Sequence, residues 1–352
     1  MNKPGSGAKS GGALIASGGA LIASGEHGCV FDKFPMCSKR GRTLRKNRAT
    51  TSRKIAKVVS LNDGSTEVEI DNSNVLRHIP DYEDYFVLID EVCESEKLPE
   101  GWQQCSIFKP GQQRVVTFVQ LRMQYAGIRL LEYARDRRAL INNWLRIQIH
   151  VAEGLRLLHK RNWIHGDLHH GNIVVDESNV ARIIDFGQSF NIHSLLLKDI
   201  NLTFLPSYDN YAPELDYVAG LESGFTSEET VNQIYTKKRI LYKIDEVFPS
   251  QNGVLGDLQQ FARLTDLANA NDVIRYIKTY AKSGDIWALG YDFFNLYMDM
   301  LVDTQFTESL FYKRNHGEQM RVLRGMLHPD PRRRLSIDNL LNELYAMKMT
   351  WI

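Results

Sequence analysis

Between Trp163 and Gly187 the chain reads WIHGDLHHGNIVVDESNVARIIDFG, and no other stretch limits its fold so strongly. Two apolar runs, Ile173–Val175 and Ala181–Ile184, are separated by a polar turn at Asp176–Asn179, so they read as a pair of strands. Asp167 and Asn172 precede this hairpin and Asp185 follows it, which puts three oxygen-bearing side chains on the loops that flank it. Hard oxygens suit magnesium, which usually binds through one or two carboxylates plus substrate phosphates. A further carboxylate can then orient a hydroxyl nucleophile. Phosphoryl transfer requires that set: a positioned hydroxyl, an in-line phosphate and cations that offset its charge.

The rest of the chain must build a scaffold for those loops. Its 352 residues fit one large domain or two medium lobes. Apolar runs at Ile55–Val59, Phe86–Ile89 and Val115–Met123 read as strands, and Glu67–Leu76 as a short helix. From Ile141 the period changes: Trp144, Ile147, Val151, Leu155 and Leu158 mark one face of an amphipathic helix. Beyond about residue 214 the pattern is mostly helical, including stretches at 228–247 and 271–282. The heptapeptide GGALIAS occurs at 11–17 and again at 18–24. Two copies are too few for a solenoid, so the first reads as flexible leader or duplicated strand and the second as the better strand.

Charge excludes some functions. Lys and Arg total 43 against 42 Asp and Glu, a net charge of +1 that gives no chain-wide footprint for nucleic acid. Residues 39–54 hold eight basic side chains and no acidic one, a solvated loop or else a docking or nucleic-acid patch. No apolar run approaches the ~20 residues of a membrane span, and Gly and Ser interrupt the N-terminal apolar stretch, so no secretory signal is expected. Cys29, Cys37, Cys93 and Cys105 form no CxxC pair, and reduced cytosolic thiols are expected.

The spacing His165-Gly166-Asp167, Asn172, then Asp185-Phe186-Gly187 resembles the catalytic loop and following D-F-G of the eukaryotic-like serine/threonine protein kinase superfamily. Other landmarks of that family follow in order over roughly residues 18–345. Gly25, Gly28 and Val30 resemble the second half of its glycine-rich loop, with Ala23 where the first glycine usually stands. Lys57 matches its ATP-binding lysine, with Lys54 as competitor. The lysine's partner is expected at Glu67, with Glu69 the alternative. Met123, Gln124 and Ala126 resemble the gatekeeper and hinge that receive adenine. Ala212-Pro213-Glu214, Asp285-Ile286-Trp287 and Asp330–Arg334 match structural motifs of the C-lobe.

The resemblance implies an α+β bilobal fold: a leader at 1–17, a strand-rich N-lobe at 18–123, a hinge at 124–127, and a helical C-lobe at 128–352 with an insertion at about 218–282. It implies ATP and Mg2+ as cofactors and protein serine or threonine hydroxyls as acceptors. Asp167 would be the base, and Asn172 and Asp185 the magnesium ligands. Gly28-Cys29-Val30-Phe31 and Ile79–Phe86 further resemble kinases of large nucleocytoplasmic DNA viruses, implying a soluble protein of host cytoplasm or virion.

Three positions depart from the family. Gly166 replaces an arginine, His169 stands where a lysine contacts the transferred phosphate, and Ser207 stands where a threonine touches the catalytic aspartate. The octapeptide HGDLHHGN keeps a small-molecule phosphotransferase open as an alternative, and a catalytically inactive kinase-like scaffold is another.

Overall fold

The apolar run around Lys57 becomes one of the two central strands of a six-stranded antiparallel sheet in a computed structural model of the chain. The structure describes residues 21–24, 28–34, 37, 42–44, 53–60, 64–95, 101–105, 118–195, 203–265, 267 and 270–349. The expected leader, Gly25 and most of the basic stretch 39–54 lie outside these residues. The chain divides into two units, one of residues 1–80 and 87–126, the other of 81–86 and 127–352.

In the first unit the sheet comprises β1 (Leu21–Ser24), β2 (Cys29–Phe31), β3 (Arg42–Thr43), β4 (Lys54–Ser60), β5 (Glu91–Ser95) and β6 (Phe118–Gln124), in the order β1-β2-β4-β6-β5-β3. Helix α1 (Gly64–Leu76) follows β4. Alternation along β4 sorts the core by face. Val58 packs with Cys29, Phe31 and Cys105, whereas Val59 packs with Ile89, Val119 and Leu121 against Ile70 of α1. Lys57 lies two residues from Val59 and so shares the face that meets α1.

Two expectations fail in this unit. Phe86–Ile89 is not a strand: Phe86 makes a single parallel bridge to Ile183, and the strand begins at Glu91. The cysteines are not free thiols. Cys29 is disulfide-bonded to Cys105 with Cα atoms 5.9 Å apart, and Cys37 to Cys93 at 5.6 Å. Such bonds persist in oxidising surroundings. The partners lie 76 and 56 residues apart, and in each pair one cysteine, Cys29 of β2 or Cys93 of β5, is in a strand while the other lies outside it.

The second unit begins with α2 (Tyr82–Tyr85) and resumes with β7 (Ile128–Arg129), α3 (Leu130–Tyr133) and α4 (Arg137–Lys160). Asp136 caps α4, accepting a bond from Ala139 N at 2.9 Å. Its buried face carries Trp144, Ile147, Val151, Leu155 and Leu158, the face read from the sequence. Strands β8 (Trp163–Ile164), β9 (Ile173–Val175), β10 (Ala181–Ile183) and β11 (Phe190–Asn191) follow, with β9 paired to both β10 and β7, and β8 to β11.

Helices α5 (Pro213–Glu222), α6 (Ser227–Lys237), α7 (Arg239–Val247) and α8 (Gly253–Arg263) lead into α9 (Ala270–Leu301). The helical stretch at 271–282 and the Asp285-Ile286-Trp287 motif fall within one helix: α9 runs for 32 residues and buries Trp287, Phe293, Phe294 and Tyr297. Helices α10 (Thr304–Thr307), α11 (Leu310–Met326) and α12 (Ile337–Met349) complete the unit. Arg334 grips Glu214 through two bonds, at 2.6 and 2.9 Å, with both side chains fully buried. Removing one partner of such a pair typically costs about 3–5 kcal/mol, because the other charge stays buried. Among the described residues, no helix is long and apolar enough to cross a membrane.

The disulfides should be measurable in solution. A cross-link closing a loop of this size stabilises by about 4 kcal/mol on the chain-entropy account. Peptide mapping without reduction should recover the 29–105 and 37–93 linkages, and dithiothreitol should lower the melting temperature by several degrees. Cys105→Ser should reproduce part of that loss without reductant. A melting curve indifferent to dithiothreitol would show that the bonds do not form.

Candidate active site

The loop between β8 and β9 has few backbone partners of its own, and a carboxylate from α9 supplies them. Asp285, 3% exposed, accepts the backbone N–H of His165 at 2.9 Å and that of Gly166 at 3.0 Å. His159 Nε2 at the end of α4 lies 3.0 Å from the same carboxylate. The His165 ring is fully buried, with Nδ1 accepting from Asp167 N at 3.3 Å and Nε2 donating to Ile184 O at 3.1 Å. One histidine therefore ties the start of the loop to the end of β10.

Asn172 fixes the next segment. Its Nδ2 donates to the Asp167 carbonyl at 2.9 Å and to Asp167 Oδ2 at 3.2 Å. A single turn over His170–Asn172 then enters β9. The hairpin turn is closed by Asp176 Oδ1, which accepts from Ser178 N and Val180 N, both at 2.9 Å. After β10 the backbone bends sharply: Asp185 has φ 64°, in the left-handed region that Asp and Asn tolerate better than other side chains. Phe186 beyond it is buried against Phe86 and His165, with ring centroids 5.3 and 5.2 Å apart.

The chemistry of this set fits a magnesium ion. With Nδ2 of Asn172 engaged by Asp167, Oδ1 is the atom that side chain has to offer a cation, and Asp185 adds a carboxylate. Among the described residues, no three His, Cys, Asp or Glu side chains form a metal site by themselves. A donor set this sparse is what Mg2+ uses when substrate phosphates complete its shell.

Two departures from the family acquire physical reasons. Gly166 has φ +79°, and a Cβ there would lie 2.6 Å from Gln188 O. At this φ, and with Gln188 O so near, any side chain at this position would be strained. His169 Nδ1 accepts from Gly171 N at 3.0 Å, leaving Nε2 as the N–H, 3.8 Å from Asp167 Oδ2. Burial lowers the pKa of His169, outweighing the Asp292 and Asp185 carboxylates that favour its charged form. Near neutral pH His169 is therefore a neutral donor beside Asp167, rather than the cation a lysine would be. His170 turns away to Asp292 Oδ1 at 3.0 Å, and that bond raises its pKa.

Ser207 does not take the place expected of it. It is exposed, and Asn210 instead reaches the loop bearing Asp167, its Nδ2 donating to Leu168 O at 2.8 Å. No motif announces Asn210; its role appears only when the chain folds back from Ala212.

The first unit carries the remaining residues. Lys57 Nζ donates to Glu69 Oε2 at 2.8 Å, and both side chains are largely buried. Glu67, the expected partner, is exposed. The reason is helical phase: α1 starts at Gly64, and Thr66, Glu69 and Ser73 form the face turned inward. Val30 lies opposite Lys57 across the β2–β4 ladder. Gly28 lies so close to β4 that a Cβ would meet Val59 Cγ1 at 2.8 Å and Val58 O at 2.9 Å. Met123 and Gln124 end β6, paired with Ile55 and Lys54, and Ala126 follows them as half-buried chain. Gly25 lies outside the described residues.

Residues 68–208 match the family model for protein tyrosine and serine/threonine kinases. The probable serine/threonine-protein kinase MRK1 homolog of Encephalitozoon cuniculi (strain GB-M1) is 31% identical over 103 residues, covering 28% of this chain and 31% of that protein. The chain thus spans about a third of the curated relative it matches. Together the two matches support a protein kinase of the eukaryotic-like superfamily.

Gly166→Ala tests the backbone path directly. An alanine forced to positive φ against a carbonyl should cost about 1–3 kcal/mol. The melting temperature should fall by several degrees, whereas alanine at Gly317, inside α11 where a Cβ meets nothing within 4 Å, should raise it slightly.

Proposed function

We propose that this protein transfers the γ-phosphoryl group of ATP to serine and threonine hydroxyls of protein substrates. The observation that carries the reading is the Asp167–Asn172 pair on a loop whose backbone is held by Asp285, with Asp185 beyond the hairpin in a left-handed turn. Asp167 would orient the acceptor hydroxyl and receive its proton as the oxygen–phosphorus bond forms and the bond to the ADP leaving oxygen breaks. Asn172 restrains the Asp167 carboxylate through Nδ2, so the base meets the hydroxyl in one geometry. Asn172 Oδ1 and Asp185 would hold magnesium, which when bound offsets charge on the phosphates.

In the first unit, Lys57, steadied by Glu69, would pair with the ATP phosphates under the Gly28 backbone. Val30, Met123, Gln124 and Ala126 would receive the nucleoside. The neutral His169 N–H would give the transferred group a hydrogen bond where the family's lysine gives a full charge. Serine and threonine specificity is supported by the similarity to the probable serine/threonine-protein kinase homolog of Encephalitozoon cuniculi. The Gly28–Phe31 and Ile79–Phe86 segments support a place beside the kinases of large DNA viruses.

Asp185→Asn is the decisive variant, since asparagine accepts φ 64° as readily as aspartate does. Transfer should fall at least about 1,000-fold, equivalent to ~4 kcal/mol of barrier, while the melting temperature stays within about 2 °C. Wild-type-like activity would sink the assignment. With labelled ATP, magnesium, a protein extract and a panel of small alcohols, label should appear on phosphoserine and phosphothreonine. Label only on tyrosine, or only on a soluble alcohol, would overturn the substrate class.

A further inference from the structure

The segment between Glu214 and Asp285 holds a cation that the mechanism above does not use. Lys238, between α6 and α7, is completely buried. An ammonium carries three protons, and three oxygens surround this one. Asp216 Oδ2 lies at 2.8 Å, Tyr208 O at 2.7 Å and Tyr211 O at 2.9 Å. Two residues further on, Ile240 N donates to Asp209 Oδ1 at 3.0 Å. The start of α7 therefore grips three of the four residues 208–211.

The remaining one is Asn210, whose side chain reaches Leu168 O beside Asp167. Lys238 binds the carbonyls on either side of Asn210, and so fixes the backbone from which that contact springs. From the opposite side, Trp287 Nε1 donates to Asp209 O at 3.0 Å, two residues along α9 from Asp285. Asp167, Tyr208, Asn210 and Tyr211 line one cavity of about 120 Å³. A shift of the 208–211 backbone would thus change both the seat of Asp167 and the wall beside it.

A buried ion pair is a poor source of stability, because desolvation offsets most of the attraction, but it can impose a unique geometry. Burial raises the Asp216 pKa to about 6 in spite of Lys238, which shows how unfavourable an unpaired carboxylate would be here. An apolar pair of similar volume would fill the space without holding the two carbonyls.

We propose that Lys238 is a positioning residue for phosphoryl transfer: the segment 227–247 is a clamp that sets the 208–211 loop, and through Asn210 the loop bearing Asp167, for engagement of the protein acceptor. The proposal rests on the kinase reading and assigns that reading's insertion a task.

Lys238→Met alone strands the Asp216 charge and can unfold the unit, so the test uses Lys238→Met with Asp216→Asn. This double variant keeps the volume, removes both charges and leaves the carbonyls of Tyr208 and Tyr211 without the ammonium. Dephosphorylated casein and the chain itself serve as acceptors. The folded double variant should lose about tenfold or more in kcat/KM for casein, while the KM for ATP stays within about twofold. Hydrogen exchange should accelerate at 208–212 and at 166–168. Asp216→Asn alone strands the ammonium in its turn, but where that variant folds the ammonium still meets both carbonyls, and most of the casein activity should return. A folded double variant with wild-type kcat/KM and unchanged exchange would overturn the proposal, as would an equal loss for ATP and casein. If the wild type labels neither acceptor, the kinase reading fails by itself, and the exchange arm still decides whether Lys238 holds the Asp167 loop.

Discussion

The loop from His165 to Asn172 is held by one carboxylate. Asp285 has two oxygens and meets three donors: the backbone amides of His165 and Gly166 and the ring of His159. The loop satisfies the amides of Asp167, Gly171 and Asn172 from within, whereas those of His165 and Gly166 rely on Asp285, and a buried amide left unpaired costs about 1–3 kcal/mol. Setting that carboxylate within a 32-residue helix, packed through Trp287 and Phe293, makes the loop's position a property of the core. Asp167, Asn172 and the bend at Asp185 inherit their geometry from that anchor.

Buried charge recurs where two segments distant in sequence must meet in one register. Glu214–Arg334 spans 120 residues, and Lys238–Asp216 joins α5 to the start of α7. Neither needs to add net stability. Each makes alternative packings costly, because any slip strands an ion in an apolar interior. The polar cores thus act as registration marks on helices whose apolar faces alone would tolerate sliding.

Where placement depends on contiguous residues, the sequence was legible. His165 to Gly187 carry their spacing within one hairpin, so Asp167, Asn172 and Asp185 could be read with their elements. The α4 face was equally plain, since Trp144 to Leu158 repeat at helical steps. Contacts that depend on phase or register were not. Glu69 rather than Glu67 pairs with Lys57 because α1 starts at Gly64, and the helix has too little amphipathic contrast to reveal that start. The cysteine pairs needed the tertiary fold, since their partners lie 76 and 56 residues apart and one of each pair sits outside the strands. Asn210 takes the contact expected of Ser207 because a count of residues from Ala212 says nothing about which way an irregular loop turns.

The division of the chain at residues 81–86 bears on the order in which it can fold during synthesis. These six residues lie between stretches of the first unit yet belong to the second. Their partners, Gly154 against Tyr85 and Ile183 and Phe186 against Phe86, emerge roughly 70–100 residues later. At about 5–20 residues per second, the ribosome leaves this hinge-like tether waiting for several seconds. The sheet that surrounds it in sequence, complete once β6 has emerged, must therefore close with an unburied, aromatic-rich strand of chain protruding from it. The nascent protein passes through a stage in which Tyr82, Tyr85 and Phe86 are adhesive surface, and that interval is when a chaperone would find its grip.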